Sequence, residues 1–451
     1  MSELGIIARH AGTVLVGQLA VMAFGVADTL IAGRYNPQAL AVLSLASSIY
    51  ISIYVALNGM LQSALPVWAQ LRGAGRLAEI GASVRQALYI CAGAALVGFA
   101  ALWFPQPWLA WTDVPPALWP EVRSYLQVLA MALVPSLLFR LYSTLNQSLG
   151  YPRLVTALQA GALLVKIPLS YALTFGVQLG SVHIDGMGVV GCAWATLGVN
   201  LFMCLTGLYL LRTQDIYRPH QLWRRMEAPH GPTLWRFLQL GVPAGLSIMV
   251  EVTSFTLMAL FIARLGAVSS ASHQIAASLA AVLYMVPLAL GIASSARTGY
   301  WLGASQAHKA RQAAGMGIGL AVLAALIGAG SLNAWRSEIA QAFTTDAAVA
   351  QAATVWLGWV ALYHLADAVQ AVCAFLLRCY RITLAPLILY TTLLWGLGLY
   401  GGYRLAYQGI GPWAQRPGVD TFWMTSTGAL AIVSLLFAAL VWRASHPARM
   451  P

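Results

Sequence analysis

GVPAGLSIMVEVTSFTLMALFIARLG, Gly241–Gly266, carries one charged residue, Glu251, between Pro243 and Arg264. About 20 mainly apolar residues in helix cross the hydrocarbon of a bilayer, so the stretch reads as a membrane span. Glu251 precedes Arg264 by 13 residues, roughly 20 Å along a helix, which puts it near the bilayer centre on a side chain too short to snorkel. A carboxylate at that depth costs at least roughly 2.5–3.5 kcal/mol. Such a cost is tolerated where the group faces a wet cavity and binds something positive. Two more acids, Asp28 and Asp367, sit inside apolar stretches, and the chain has only 13 acids in 451 residues. Buried negative charge therefore points to cation handling.

The composition agrees with a polytopic membrane protein: 60% hydrophobic and 8% charged, against about 25% charged in soluble chains. The formal charge of +12 does not indicate nucleic acid, because the basic residues, nearly all Arg, are scattered through short loops rather than gathered on one face. Cys91, Cys192, Cys204, Cys373 and Cys379 lack CxxC spacing and read as core residues or free thiols. No cleavable signal peptide is expected, since Glu3 and Arg9 precede a run long enough to span.

Apolar stretches predict twelve helices, at about 11–33, 41–65, 84–104, 122–146, 154–177, 188–211, 237–263, 271–296, 312–335, 348–377, 384–404 and 423–442. With the N-terminus inside, 18 basic residues fall on cytoplasmic segments, Arg85, Arg140, Arg378 and Arg449 among them, and six on external ones, leaving Lys166 in a span. This bias places both termini in the cytoplasm of a multi-pass plasma (inner) membrane protein. The external stretch Phe104–Pro120, with Pro115 and three tryptophans, suits an interfacial aromatic belt.

The basic, proline-containing stretch near the midpoint predicts three parts: a six-helix lobe at 1–211, a cytoplasmic linker at 212–235 and a second six-helix lobe at 236–451. Matches at a nearly constant offset support an internal duplication. Arg34 pairs with Arg264 and Gly73–Ala74 with Gly303–Ala304 at 230, and Tyr151 with Tyr380 at 229. The expected fold is all-α, twelve transmembrane helices in two lobes related by a pseudo-two-fold axis along the membrane normal.

Tyr363, Asp367 and Gln370 are spaced four and three apart and share a helical face, a cage of hard oxygen ligands. Na⁺ at Glu251, Asp367 and Tyr363 is one expectation; protonated acids held by hydrogen bonds for helix packing are the other. Pro243 could open the seventh helix and free carbonyls, and Pro287 with Gly291 could bend the eighth. Asp28 is read either as a coupling acid or as the partner of Lys166. Gln274 and Tyr284 are either cavity groups or interhelical glue, and Met258 either lines an adaptable pocket or packs the core. No enzyme motif is present, and neither is a domain for ATP, so an ion gradient is the expected energy source and no cofactor is expected.

GVADTLIAGR (Gly25–Arg34), GVPAGLSIMVEV (Gly241–Val252), SASHQIAASLAAVLYMVP (Ser270–Pro287) and LYHLADAVQ (Leu362–Gln370) together resemble the MATE family of multidrug and toxic compound extrusion transporters, in its NorM-like bacterial branch. The resemblance implies an antiporter that exports lipophilic organic cations in exchange for Na⁺ or H⁺ by alternating access. It also implies a C-terminal-lobe cation site at Glu251, Asp367 and Tyr363 and a coupling acid at Asp28. Gln274 and Tyr284 would then line the substrate cavity, to which Gln370, Met258 and Lys166 are also assigned as polar or adaptable groups within spans. Expected partners are cationic drugs and membrane lipid, with no nucleic acid, for a monomeric chain. Lys166 and Ser170 stand where the branch often has asparagines; a fixed cation there would compete with an ion at Asp28. The alternative from another class is a flippase for a lipid-linked precursor, which calls for a basic cavity.

Overall fold

The computed structural model describes residues 2–111, 116–179, 182–410, 412 and 414–446. Pro115 and Arg449, which figured in the loop and charge readings above, lie outside the described residues. Twelve helices are long and apolar enough to cross a membrane. They are α1 (Glu3–Tyr35), α2 (Pro37–Gly73, interrupted at Ser63), α3 (Leu77–Trp103), α4 (Trp119–Leu149), α5 (Pro152–Phe175) and α6 (Val189–Thr213), then α7 (Gly231–Ala263), α8 (Ala267–Gly303), α9 (Ala307–Ala334), α10 (Ala347–Cys379), α11 (Leu384–Tyr407) and α12 (Val419–Ala444). Each expected span lies on one of these helices. Many helices run past the apolar window at their polar ends, where helical hydrogen bonding continues beyond the hydrocarbon. Leu96, Leu164 and Leu435 are 70% or more exposed, an apolar outside that suits lipid rather than water.

Local geometry repeats at the same offset. α2 and α8 begin at Pro37 and Ala267, and α3 and α9 at Leu77 and Ala307. The turn after α2 closes through Ala74 to Gln70, Gly75 to Arg72 and Arg76 to Leu71; the turn after α8 closes through Ala304 to Tyr300, Ser305 to Leu302 and Gln306 to Trp301. Every one of these positions is shifted by 230. Gly75 takes φ of 72° and its counterpart Ser305 takes 55°, so the turn holds a left-handed residue even where the sequence supplies serine. The Tyr151–Tyr380 match is corrected. Gly150 bonds to Gln147 and Arg381 to Arg378, both with positive φ, so the structural counterpart of Gly150 is Arg381 at an offset of 231.

The chain forms two compact units, Val16–Gly245 and Leu246–Pro451 with Met1–Leu15. The divisions fall inside α1 and α7, which differs from the expected three parts for two reasons. The linker is bound to the first unit. Arg85 Nε donates to Glu227 Oε2 at 2.6 Å and Arg85 Nη1 to the Gln221 carbonyl at 2.7 Å; Gln86 and Tyr89 bond the backbone at Ala228 and Glu227. The N-terminus is held by the second unit: Arg297 binds the Glu3 carboxylate through two bonds of 2.6 and 2.8 Å, and Trp301 Nε1 adds a third at 3.0 Å.

Two features were not read from the sequence. A short antiparallel hairpin, Val177–Leu179 with Val182–Ile184, joins α5 to α6, and Arg336–Phe343 forms a short helix before α10. The expected opening at Pro243 did not form, for α7 is helical through it, and α8 is helical through Pro287. Gly291 instead serves close packing, since a Cβ there would meet the Phe375 ring at 2.6 Å.

Candidate cation site

In the second unit, α10 carries Asp367 and Gln370 one turn apart, and α7 brings Glu251 to them. Gln370 Nε2 donates to Glu251 Oε1 at 2.9 Å and to Asp367 Oδ1 at 3.0 Å. One amide nitrogen therefore bridges both acids, bringing those two oxygens within about 6 Å of each other. Gln370 is fully buried, and its Oε1 accepts from the Tyr390 hydroxyl. That bond sets which way the amide faces: turned over, its oxygen would point at two carboxylates. Among the described residues neither acid makes an ion pair with Lys, Arg or His. Oε2 of Glu251 and Oδ2 of Asp367 lie outside the bridge. Both acids are at least nine-tenths buried.

Tyr390 opens an eleven-residue π-helical segment of α11, Tyr390–Tyr400. Such turns are rare and recur at functional sites. Trp395 from the same segment donates its indole N–H to the Val250 carbonyl at 3.1 Å, tying the π turn to α7 one residue from Glu251. A tyrosine within an apolar span gave no sign that the backbone register would change there, so Tyr390 was missed.

Tyr363 shares the face of Asp367, as its spacing required, and its ring stands edge-on to Phe255 and Trp423, with centroids 5.4 and 5.7 Å away. Met258 is packed in the core and its Sδ accepts from Ser426 at 3.4 Å. Tyr284 on α8 is half-buried and Gln274 is exposed. Arg378, expected on a cytoplasmic segment, is a buried residue of α10 on the same stripe, three turns beyond Asp367. Its guanidinium lies 4.4 Å from the Phe375 ring centre, and Nη1 has no hydrogen-bond partner. Arg85 and Arg140 are likewise buried within helices rather than in loops. His364 is buried, its ring beside Gly328.

The first unit's acid is arranged differently. Lys166 Nζ lies 2.8 Å from Asp28 Oδ1, 2.8 Å from Thr196 Oγ1 and 3.0 Å from the Cys192 carbonyl. Ser170 Oγ donates to the same Asp28 oxygen at 2.9 Å. Lys166 and Gln370, expected to line a substrate cavity, are fully buried and committed to these bonds. A lysine in a span must find acceptors, so Thr196, one turn from Cys192 on α6, could have been sought on that ground.

The profile of the MatE family matches residues 14–172 and 243–403, one segment in each half of the chain. This chain belongs to the MATE family. A probable multidrug resistance protein NorM from Aromatoleum aromaticum is 39% identical over 96% of this chain and 92% of its own length. The multidrug resistance protein PmpM from Pseudomonas aeruginosa is 34% identical over 92% of this chain and 86% of its own. Among solved structures, a MATE transporter in the straight conformation superposes with a TM-score of 0.87 at 15% identity over 99% of this chain and 97% of that one. The eukaryotic MATE transporter AtDTX14 gives 0.85 at 16% over 99% and 98%. The twelve-helix, two-lobe fold is therefore that of MATE transporters, and the chain is an integral multi-pass membrane protein rather than a member of an enzyme family.

Proposed function

We propose that this MATE protein is a multidrug efflux antiporter that exports lipophilic organic cations in exchange for Na⁺ or H⁺, lies in the inner membrane and keeps both termini in the cytoplasm. The observation that carries the reading is the Glu251–Gln370–Asp367 bridge: two buried carboxylates with no basic ion-pair partner among the described residues. Two negative charges about 6 Å apart repel by about 3 kcal/mol at an effective dielectric of 20. A proton, a small metal ion or an organic cation relieves that repulsion, and the three compete for it. Arrival of the external ion weakens the hold on the drug, and exchange follows provided each ligand favours a different conformation. Tyr363 and the remaining carboxylate oxygens supply hard oxygen donors for Na⁺. The relatives named for multidrug resistance support the efflux direction.

The test is release of a fluorescent organic cation from vesicles under separately imposed Na⁺ and pH gradients. Efflux should follow one of the gradients without ATP. Dependence on ATP with no response to either gradient would overturn the reading.

A further inference from the structure

The oxygens around Lys166 form a cage of the kind that holds an alkali cation. A carboxylate (Asp28), a backbone carbonyl (Cys192) and a hydroxyl (Thr196) all lie 2.8–3.0 Å from Nζ, and Ser170 donates to the same Asp28 oxygen at 2.9 Å. These are hard, neutral or anionic donors, the set that monovalent and other hard cations take. An ammonium offers three N–H bonds, and all three are met. Thr196 in turn donates to the Cys192 carbonyl at 2.9 Å, so the hydroxyl's lone pairs face the lysine. Lys166, Ser170, Thr174 and Cys192 have no exposed surface, and Asp28 is only 6% exposed. Nζ has no valence left for a substrate group or a lipid phosphate. The cage holds a cation, and that cation is covalently part of the chain.

We propose that this is a monovalent-cation site permanently filled by the tethered ammonium of Lys166. It excludes a free ion from the Asp28 side of the molecule, and removal of the lysine side chain converts it into a Na⁺ site that needs Asp28. The inference draws on the function proposed above only in assigning the exchanged ion to Glu251 and Asp367.

The experiment is equilibrium binding of ²²Na⁺ to purified full-length protein, made in a Glu251→Gln/Asp367→Asn background so that the first unit is counted alone. With Lys166 present, that background should bind no Na⁺ in the millimolar range. Lys166→Ala should add about one Na⁺ per chain, and Asp28→Asn on top of it should abolish the gain. A thermal readout guards against poor folding: Lys166→Ala should melt at higher temperature in Na⁺ than in choline, whereas the neutral pair Asp28→Asn/Lys166→Met should show no such difference. Na⁺ binding lost on Asp28→Asn while Lys166 is in place would overturn the proposal. So would a Lys166→Ala protein that neither binds Na⁺ nor is stabilised by it. Gradient-driven efflux in the wild type reports on the function reading independently of either result.

Discussion

The acid of the first unit and the acids of the second solve the problem of buried charge in opposite ways. Asp28 is answered by Lys166 at 2.8 Å; Glu251 and Asp367 are answered by a neutral amide. The repeat makes the contrast sharper, because the same positions are occupied in both halves. Asp28 lies six residues before Arg34, and Met258 six before Arg264. Counted from the helix starts, Thr196 and Ser426 correspond on α6 and α12. Where the first half has the Asp28–Lys166 ion pair and the Thr196 hydroxyl, the second has Met258 and Ser426, with Ser426 Oγ bonded to Met258 Sδ. The two halves share turns and helix starts and differ in charge. One half holds its own cation; the other holds carboxylates that, among the described residues, no basic side chain pairs.

Four changes would break or sharpen that contrast. Glu251→Gln or Asp367→Asn should reduce ion-coupled efflux about 100-fold or more while membrane insertion persists, as measured in vesicles with a fluorescent cation; retained gradient-driven export would remove the second unit from the account. In the first unit, Lys166→Met leaves a buried carboxylate without its partner and should destabilise by about 3–5 kcal/mol. The neutral pair Asp28→Asn/Lys166→Met should lose far less, and thermal melts in detergent compare the two. Equal losses would mean the pair contributes packing rather than charge balance.

Tyr390→Phe removes the donor that orients Gln370, a cost of about 1–3 kcal/mol for an unmet buried acceptor. It should weaken half-saturation by the coupling ion about tenfold without abolishing efflux, as an ion titration of transport would show. The smallest effect is outside the membrane. Arg85, hydrogen-bonded to Glu227, holds that carboxyl down at about 2. A depressed carboxyl contributes stability above its ordinary range, and the contribution fades as pH falls from about 4.5 toward 2. Melting temperature between pH 7 and 3 should fall less steeply in Glu227→Gln than in the wild type, and equal slopes would show that this ion pair does not fasten the linker.

The sequence announced the scaffold because its signals are additive: twelve apolar windows and a nearly constant offset each survive errors of a few residues. Glu251, Asp367 and Gln370 were legible for a related reason, since polar groups in an apolar span are rare and helical spacing tells which share a face. What stayed hidden depends on three-dimensional register. Gln370 was read as a cage ligand, but only the approach of α7 shows that its amide spans two acids. Tyr390 enters through a π turn that no residue pattern in Tyr390–Tyr400 marks. Arg378 looked like a loop charge because it closes a span, and its burial appears only once α8, α9 and α12 pack against α10. Tyr151 and Tyr380 matched as letters, yet the hydrogen bonds align Gly150 with Arg381.

The central claim is that drug and ion take turns on Glu251 and Asp367, and counterflow tests it most directly. An imposed gradient of organic cation across proteoliposomes should drive Na⁺ or protons the opposite way in the wild type, and this counterflow should vanish in Glu251→Gln/Asp367→Asn. Undiminished counterflow in that double variant would contradict the account.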